Sequence, residues 1–165
     1  MLAARSLQAV RRAAPRADGS TTLSDREQAI VVAATVSQFG DSYCSLAWGG
    51  KLAKLAGDET AGGVIAGGVP GDLSPREAAL CEWCRAVVRD PMATTADQVD
   101  ALRAAGFDDR EIFEATLLLS LRLAFSTVND ALGAQPDRQL AEAVPARVRA
   151  AVTFGRPASQ KPSSV

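Results

Sequence analysis

The chain has 165 residues, of which 47% are hydrophobic and 22% are charged, with a formal net charge of -1. This length suits one domain with a substantial core. The near-neutral balance argues against a nucleic-acid surface, and no apolar run has the length of a membrane span. We therefore expect a cytoplasmic protein that contacts neither nucleic acid nor a membrane.

Histidine is absent from the chain, which has three cysteines. The commonest general base and metal ligand is therefore missing, and three thiols are too few for a closed thiolate site. We expect no metal and no bound cofactor. An odd number of cysteines with no secretory signal also implies no disulfide framework.

Residues 1–20 are rich in arginine and contain no acid before Asp18. Leu2, Leu7 and Val10 can line one face of a short helix, which predicts an N-terminal arm that packs on the bundle or on a neighbouring subunit. An organelle transit peptide has the same composition and is the alternative. We assign residues 21–155 to a helical domain and residues 156–165 to a disordered tail.

The domain is predicted to be all-α, because apolar residues recur at helical spacing and no segment alternates as a strand would. The predicted helices span residues 24–39, 42–56, 75–89, 95–105 and 109–132, with a further one at 138–152. Three similar segments, LSDRE at 23–27, LSPRE at 73–77 and FDDRE at 107–111, each place a cap and an acid before an apolar run. The glycine-rich residues 58–72 are interpreted as a loop with a short helical turn.

The junction at Gly40–Asp41 carries the first candidate site. Asp41 is a good N-cap residue and places Cys44 in the first turn of the following helix. Free amides in that turn lower the pKa of a thiol, whereas the Asp41 carboxylate raises it. Cys44 is thus well placed for chemistry and poorly assisted.

Cys81 and Cys84 form a C-x-x-C in the helix predicted at residues 75–89. Cys81 lies in the second turn, beyond the helix dipole, and both thiols share an apolar face with Val88, which favours core packing. A redox pair and an oligomer contact are the alternatives. Either thiol could resolve an oxidised Cys44 if the two Cα atoms lie within about 7 Å.

Two further features concern packing. Gly49 and Gly50 each cost a helix about 1 kcal/mol relative to alanine, and they indicate the close approach of another helix. Arg122 stands alone in an apolar run, where we expect it to pair with Glu114 or Asp130. Anion binding is the alternative for this arginine.

The buried helix that begins L-x-x-R-E, followed by Gly40, Tyr43 and Cys44, resembles the core of the AhpD-like alkylhydroperoxidases and carboxymuconolactone decarboxylases. The resemblance covers residues 23–137. It implies an AhpD-like helical bundle, a homo-oligomer (trimer or hexamer), and an antioxidant peroxidase that reduces organic hydroperoxides. In that chemistry Cys44 would be the reacting thiol, Cys81 or Cys84 its possible partner, and an outside thiol the reductant.

The departures from the family pattern fall on its functional side chains. Asp41 stands for the first cysteine of the family motif, Trp48 for the histidine, and Ala29 lies near the position of the proton-relay glutamate. Asp41, Tyr43 and Trp48 are then expected to line the pocket, with Trp48 closing it. Two functions remain open: a peroxidase acting through Cys44, or a non-catalytic helical oligomer that serves ligand binding or assembly. A decarboxylase is disfavoured because no histidine can move the proton.

Overall fold

The computed structural model describes residues 21–159, so the predicted N-terminal arm (residues 1–20) lies outside it. Within that range the chain forms α-helices and no strand, which confirms the all-α prediction. In chain order the helices are α1 (Asp25–Phe39), α2 (Ser42–Ala56), α3 (Asp58–Ile65), α4 (Pro75–Arg89), α5 (Ala96–Ala104), α6 (Asp109–Ala131), α7 (Arg138–Ala143) and α8 (Ala146–Ala151). A 3-10 turn at Pro91–Ala93 links α4 to α5. Among residues 21–159, no helix combines the length and the hydropathy that a membrane span requires.

Helix α1 is the centre of the bundle. Its residues from Ala29 to Ala34 are fully buried, and it packs against α2, α4 and α6. Such a helix must be apolar on all sides, which explains the continuous run of alanine, valine and isoleucine in its sequence. It ends at Gly40, whose φ of 94° favours glycine and turns the chain directly into α2.

The three repeated segments are helix starts, as predicted, and they also meet in space. Each has a complete capping box, formed by Ser24 with Glu27, Ser74 with Glu77, and Asp108 with Glu111. Arg26 pairs with Glu77 at 2.5 Å, and Arg76 reciprocally pairs with Glu27 at 2.6 Å and Glu111 at 2.6 Å. The Arg-Glu pair of one start therefore ties it to the next, and the network joins α1, α4 and α6.

The glycines of α2 allow the close approach that their sequence predicts. A Cβ atom on Gly49 would lie 2.5 Å from Val148 Cγ1 of α8, and one on Gly50 would lie 3.0 Å from Val144 Cγ1. The helix predicted at residues 138–152 is divided here, because Pro145 has no amide to continue it and instead occupies the N-cap position before α8. Residues 58–72, interpreted as a loop with a short helical turn, contain more helix than expected, because residues 58–65 form α3, which packs on α8.

The C-terminal segment is held against the helices up to the last described residue. The Ser159 amide donates to the Pro136 carbonyl at 2.8 Å, and the Ser42 hydroxyl donates to the Arg156 carbonyl at 2.7 Å. Residues 160–165 of the predicted tail lie outside the described range.

Candidate functional site

The N-terminus of α2 places Asp41 and Cys44 side by side. Asp41 is fully buried, and its Oδ1 accepts a hydrogen bond from the Cys44 amide at 2.9 Å. This is the N-cap geometry that the sequence predicts. The other carboxylate oxygen, Oδ2, is buried without a hydrogen-bond partner among the described residues. The cap thus brings a negative charge to the thiol as well as to the helix end.

Cys44 is closed off from solvent. Its side chain is 3% exposed and packs with Val32 and Val36 of α1, while Leu118 of α6 covers the same cluster. Burial raises the pKa of the Cys44 thiol to about 12, and the hydrogen bond and charge of Asp41 add to the effect. Ser126 and Arg122 on α6 lower this pKa, but they do not compensate. The net shift of the Cys44 pKa is therefore upward.

The C-terminal segment lies over the same end of α2. At Gly155, φ is 70°, and a Cβ atom there would lie 2.7 Å from the Gly40 carbonyl oxygen. Arg156 donates from Nη1 to the Asp130 carbonyl oxygen at 2.9 Å, which fastens the segment to α6 as well. Burial and the charge of Asp41 raise the pKa of Asp130, while Arg156 opposes them. At this end of the bundle, the C-terminal segment therefore packs next to two nearby acids, Asp41 and Asp130.

Trp48 lies between two cations. The Arg122 guanidinium is 4.5 Å from the centroid of the Trp48 ring, and Lys51 Nζ is also 4.5 Å from it. Trp48 and Tyr43 are both half-buried and pack against the cluster that contains Cys44. Tyr43 and Trp48 thus adjoin Cys44, and Asp41 caps the same end of α2.

The predicted ion pair of Arg122 was wrong. Glu114 is occupied by Thr21, Thr22 and Arg110, and Asp130 pairs with Arg156 at 3.7 Å. Arg122 instead stacks on Trp48, because α6 directs it toward α2. A cation–π contact of this kind is favourable when it is partly desolvated.

Cys81 and Cys84 lie in the main hydrophobic core, whereas Cys44 belongs to the smaller cluster with Val32 and Val36. All three cysteines are free thiols. Burial raises the pKa of both core thiols, and the Thr35 hydroxyl and the Arg85 charge only partly oppose this for Cys84. Both therefore have the environment of core residues.

Arg85 is a buried cation that the sequence analysis missed. It is 7% exposed, and its Nη2 donates to the carbonyl oxygens of Val64 at 2.6 Å and Gly68 at 3.2 Å. It thereby caps the C-terminus of α3 and lowers the pKa of Cys81, although burial has the larger and opposite effect. The sequence offered one signal for this contact, since Arg85 follows Cys81 by four residues and therefore shares its helix face.

A cleft of about 380 Å³ opens between the N-terminus of α2, α7, α8 and the C-terminal segment. Its wall includes apolar side chains, among them Leu46 and Phe154, and the two arginines Arg149 and Arg156. Between residues 21 and 159, no group of three Cys, Asp or Glu side chains could hold a metal ion. The cleft was not predicted because its walls come from distant parts of the sequence.

Two solved structures have a similar fold. One is a peroxidase-related protein from Silicibacter sp. TM1040, with a TM-score of 0.66, 17% identity, and coverage of 82% of this chain and 70% of that chain. The other is a peroxidase-related protein from Ralstonia eutropha JMP134, described as an alkylhydroperoxidase AhpD core, with a TM-score of 0.67, 18% identity and the same coverage, 82% and 70%. No protein-family profile and no curated protein matches the sequence. The chain therefore has the AhpD-like fold that the residues around Cys44 predict.

Proposed function

We propose that this protein is a non-catalytic form of the AhpD-like fold, which binds a small organic anion in the cleft beside α2. In this proposal Cys44 is a structural residue and does not react with peroxides. The observation that carries it is the environment of Cys44, a buried thiol beside a buried carboxylate.

The state of the thiol supports the absence of peroxidase chemistry, because the thiolate is the nucleophile. With a pKa of about 12, roughly one Cys44 side chain in ten thousand is ionised at pH 8, against about a quarter for an unperturbed cysteine. The 3% exposure of the side chain also restricts the approach of a peroxide. Both factors act in the same direction.

The residues around Cys44 do not replace the second thiol, the histidine and the glutamate of the family pattern. The chain contains no histidine, and the acid nearest to Cys44, Asp41, raises its pKa. Cys81 and Cys84 pack in a different cluster, and burial raises the pKa of both. A dithiol cycle would need an acid or base, a thiolate and an adjacent second thiol.

The cleft supports the binding part of the proposal. Its volume of about 380 Å³ falls at the lower end of the range for small-molecule sites. Leu46 and Phe154 supply apolar surface, while Arg149 and Arg156 supply positive charge. Arg149 uses Nη1 to bond the Ala141 carbonyl oxygen, so its remaining donors can bind a carboxylate. A ligand with one carboxylate and an apolar body fits this lining.

Binding can be tested with benzoate as the probe, by isothermal titration calorimetry on the full chain. Arg149→Gln should weaken binding about tenfold, because it removes one charge-assisted hydrogen bond. Arg147→Gln is the matched control, since Arg147 lies on the same helix, pairs with Glu59 and does not line this cleft. Equal affinity in the two variants, or no benzoate binding by the parent protein, would reject the ligand site.

A further inference from the structure

Helix α6 carries a continuous apolar stripe on its exposed side. The stripe residues recur every three or four positions and are Leu117, Leu121, Phe125, Val128 and Leu132 just after the helix end. Leu121 is 60% exposed, Phe125 51% and Val128 56%. At 1.5 Å per residue the stripe is about 22 Å long. An apolar patch of this length is normally covered by a partner surface.

The described chain begins at one end of this stripe. Glu114 lies one turn before Leu117 on the same face of α6, and its Oε2 accepts hydrogen bonds from Thr21 and Thr22. The Thr22 amide donates to the same oxygen at 2.7 Å. Thr21, the first described residue, therefore lies beside α6 about one turn before the exposed apolar side chains start.

The sequence of the preceding segment fits the stripe in pattern and in length. Ala3, Leu7, Val10 and Ala14 have the spacing i, i+4, i+7, i+11 of one helix face, which does not include Leu2. Arg5 and Arg12 would lie on the opposite side of such a helix, and Arg11 at the edge of the face. Residues 2–14 as a helix would be about 20 Å long, close to the length of the stripe. Pro15 would end that helix at Ala14. The six residues from Pro15 to Ser20 can span up to about 20 Å, which is ample for a return to Thr21.

We propose that residues 2–14 dock as an amphipathic helix on the apolar stripe of α6, antiparallel to it and within the same chain. The hydrogen bonds of Thr21 and Thr22 to Glu114 fix the position at which the segment arrives. Because the segment is tethered at that end, its local concentration at the stripe is high and docking does not require a second molecule.

The proposal can be tested by cysteine labelling in the full chain. Ala124→Cys introduces a small thiol among the stripe residues without removing an apolar anchor, whereas the native thiols are buried. Maleimide labelling is then followed site by site by mass spectrometry, with and without the added substitutions Leu7→Asp and Val10→Asp. If the segment is docked for nine-tenths of the time, these substitutions raise the labelling rate at position 124 by about tenfold. A thiol introduced by Lys54→Cys on the exposed side of α2 is the control, and its rate should not change.

Varying the protein concentration distinguishes docking of the segment of the same chain from contact with a second copy of the chain. Protection by the segment of the same chain is unchanged over about a hundredfold range of protein concentration, whereas protection by a second copy rises with concentration. Unchanged labelling at position 124 in the Leu7→Asp, Val10→Asp variant would overturn the proposal. Concentration-dependent protection that persists in this variant would also overturn it and assign the stripe to an interface between copies.

Discussion

The substitution Asp41→Asn separates the two causes that suppress Cys44. Asparagine is as good an N-cap as aspartate, so the amide of Cys44 keeps its acceptor and α2 keeps its start. The substitution removes the negative charge next to the thiol but leaves the burial of Cys44 unchanged. It also removes a buried carboxylate oxygen, Oδ2, that lacks a hydrogen-bond partner in the described structure. We therefore expect a change in thiol ionisation with little loss of stability.

The size of the change follows from the causes of the pKa shift. A neighbouring like charge shifts a pKa by about 1–3 units, so loss of the Asp41 charge should lower the Cys44 pKa from about 12 to about 9–11. Burial is the largest cause and remains, so the pKa should stay above that of a free cysteine. At pH 8 the thiolate fraction should increase by about 10- to 1000-fold.

The assay is the rate of iodoacetamide alkylation at Cys44 as a function of pH, followed by mass spectrometry of the Cys44 peptide. Asp90→Asn is the matched control, because Asp90 also caps a helical turn but is not among the groups that act on Cys44. The Asp41→Asn variant should react faster than the parent, and the control should not. A Cys44 pKa near 9 in the parent, or the same pH profile in the parent and in Asp41→Asn, would refute the reasoning.

Three further predictions concern stability. Because the pKa of Cys44 is raised to about 12, its contribution to the free energy of unfolding is fully present below pH 9 and is lost as the pH rises toward 12. Urea unfolding of Cys44→Ala should therefore show a smaller loss of stability with rising pH than the parent, by up to about 1.4 kcal/mol per pH unit. Although burial opposes the effect, hydrogen bonds from Thr22, Arg110 and Thr21 lower the pKa of Glu114 to about 2. Its contribution is therefore present above pH 4.5 and lost toward pH 2, so Glu114→Gln should cost about 1–2 kcal/mol at pH 7 and flatten the acid limb of a pH series of thermal melts. Arg76→Gln should cost about 2–4 kcal/mol in urea unfolding, because it leaves Glu27 and Glu111 without their cation; Arg103→Gln, which breaks exposed pairs, is its control and should cost under about 1 kcal/mol.

The helix starts were predictable from the sequence because a capping box is local. Ser24 and Glu27 satisfy each other's backbone amides within one turn, and the same holds for Ser74 and Glu77. The reciprocal pairing of Arg26 with Glu77 was not predictable, since it depends on how α1 and α4 are placed side by side. The repeat indicated three similar starts but not their meeting in space.

The candidate site was predictable in its residues and not in its environment. The effect of the Asp41 carboxylate on the Cys44 pKa follows from their closeness in sequence, and it has the predicted direction. The dominant cause, burial, depends on Val32, on Leu118 and on how their helices pack. Arg122 shows the same limit, because its position alone in an apolar run indicated an acidic partner, Glu114 or Asp130, whereas the packing of α6 on α2 gives it Trp48.

The central claim is that Cys44 does not react with peroxide, and the thiol state of the protein tests it most directly. The purified full chain is alkylated and analysed by mass spectrometry before and after treatment with an equimolar organic hydroperoxide. The account predicts that Cys44, Cys81 and Cys84 all remain free thiols. A disulfide between Cys44 and Cys81 or Cys84 after treatment, lost in Cys44→Ser together with peroxide turnover, would contradict it and assign the chain a peroxidase activity.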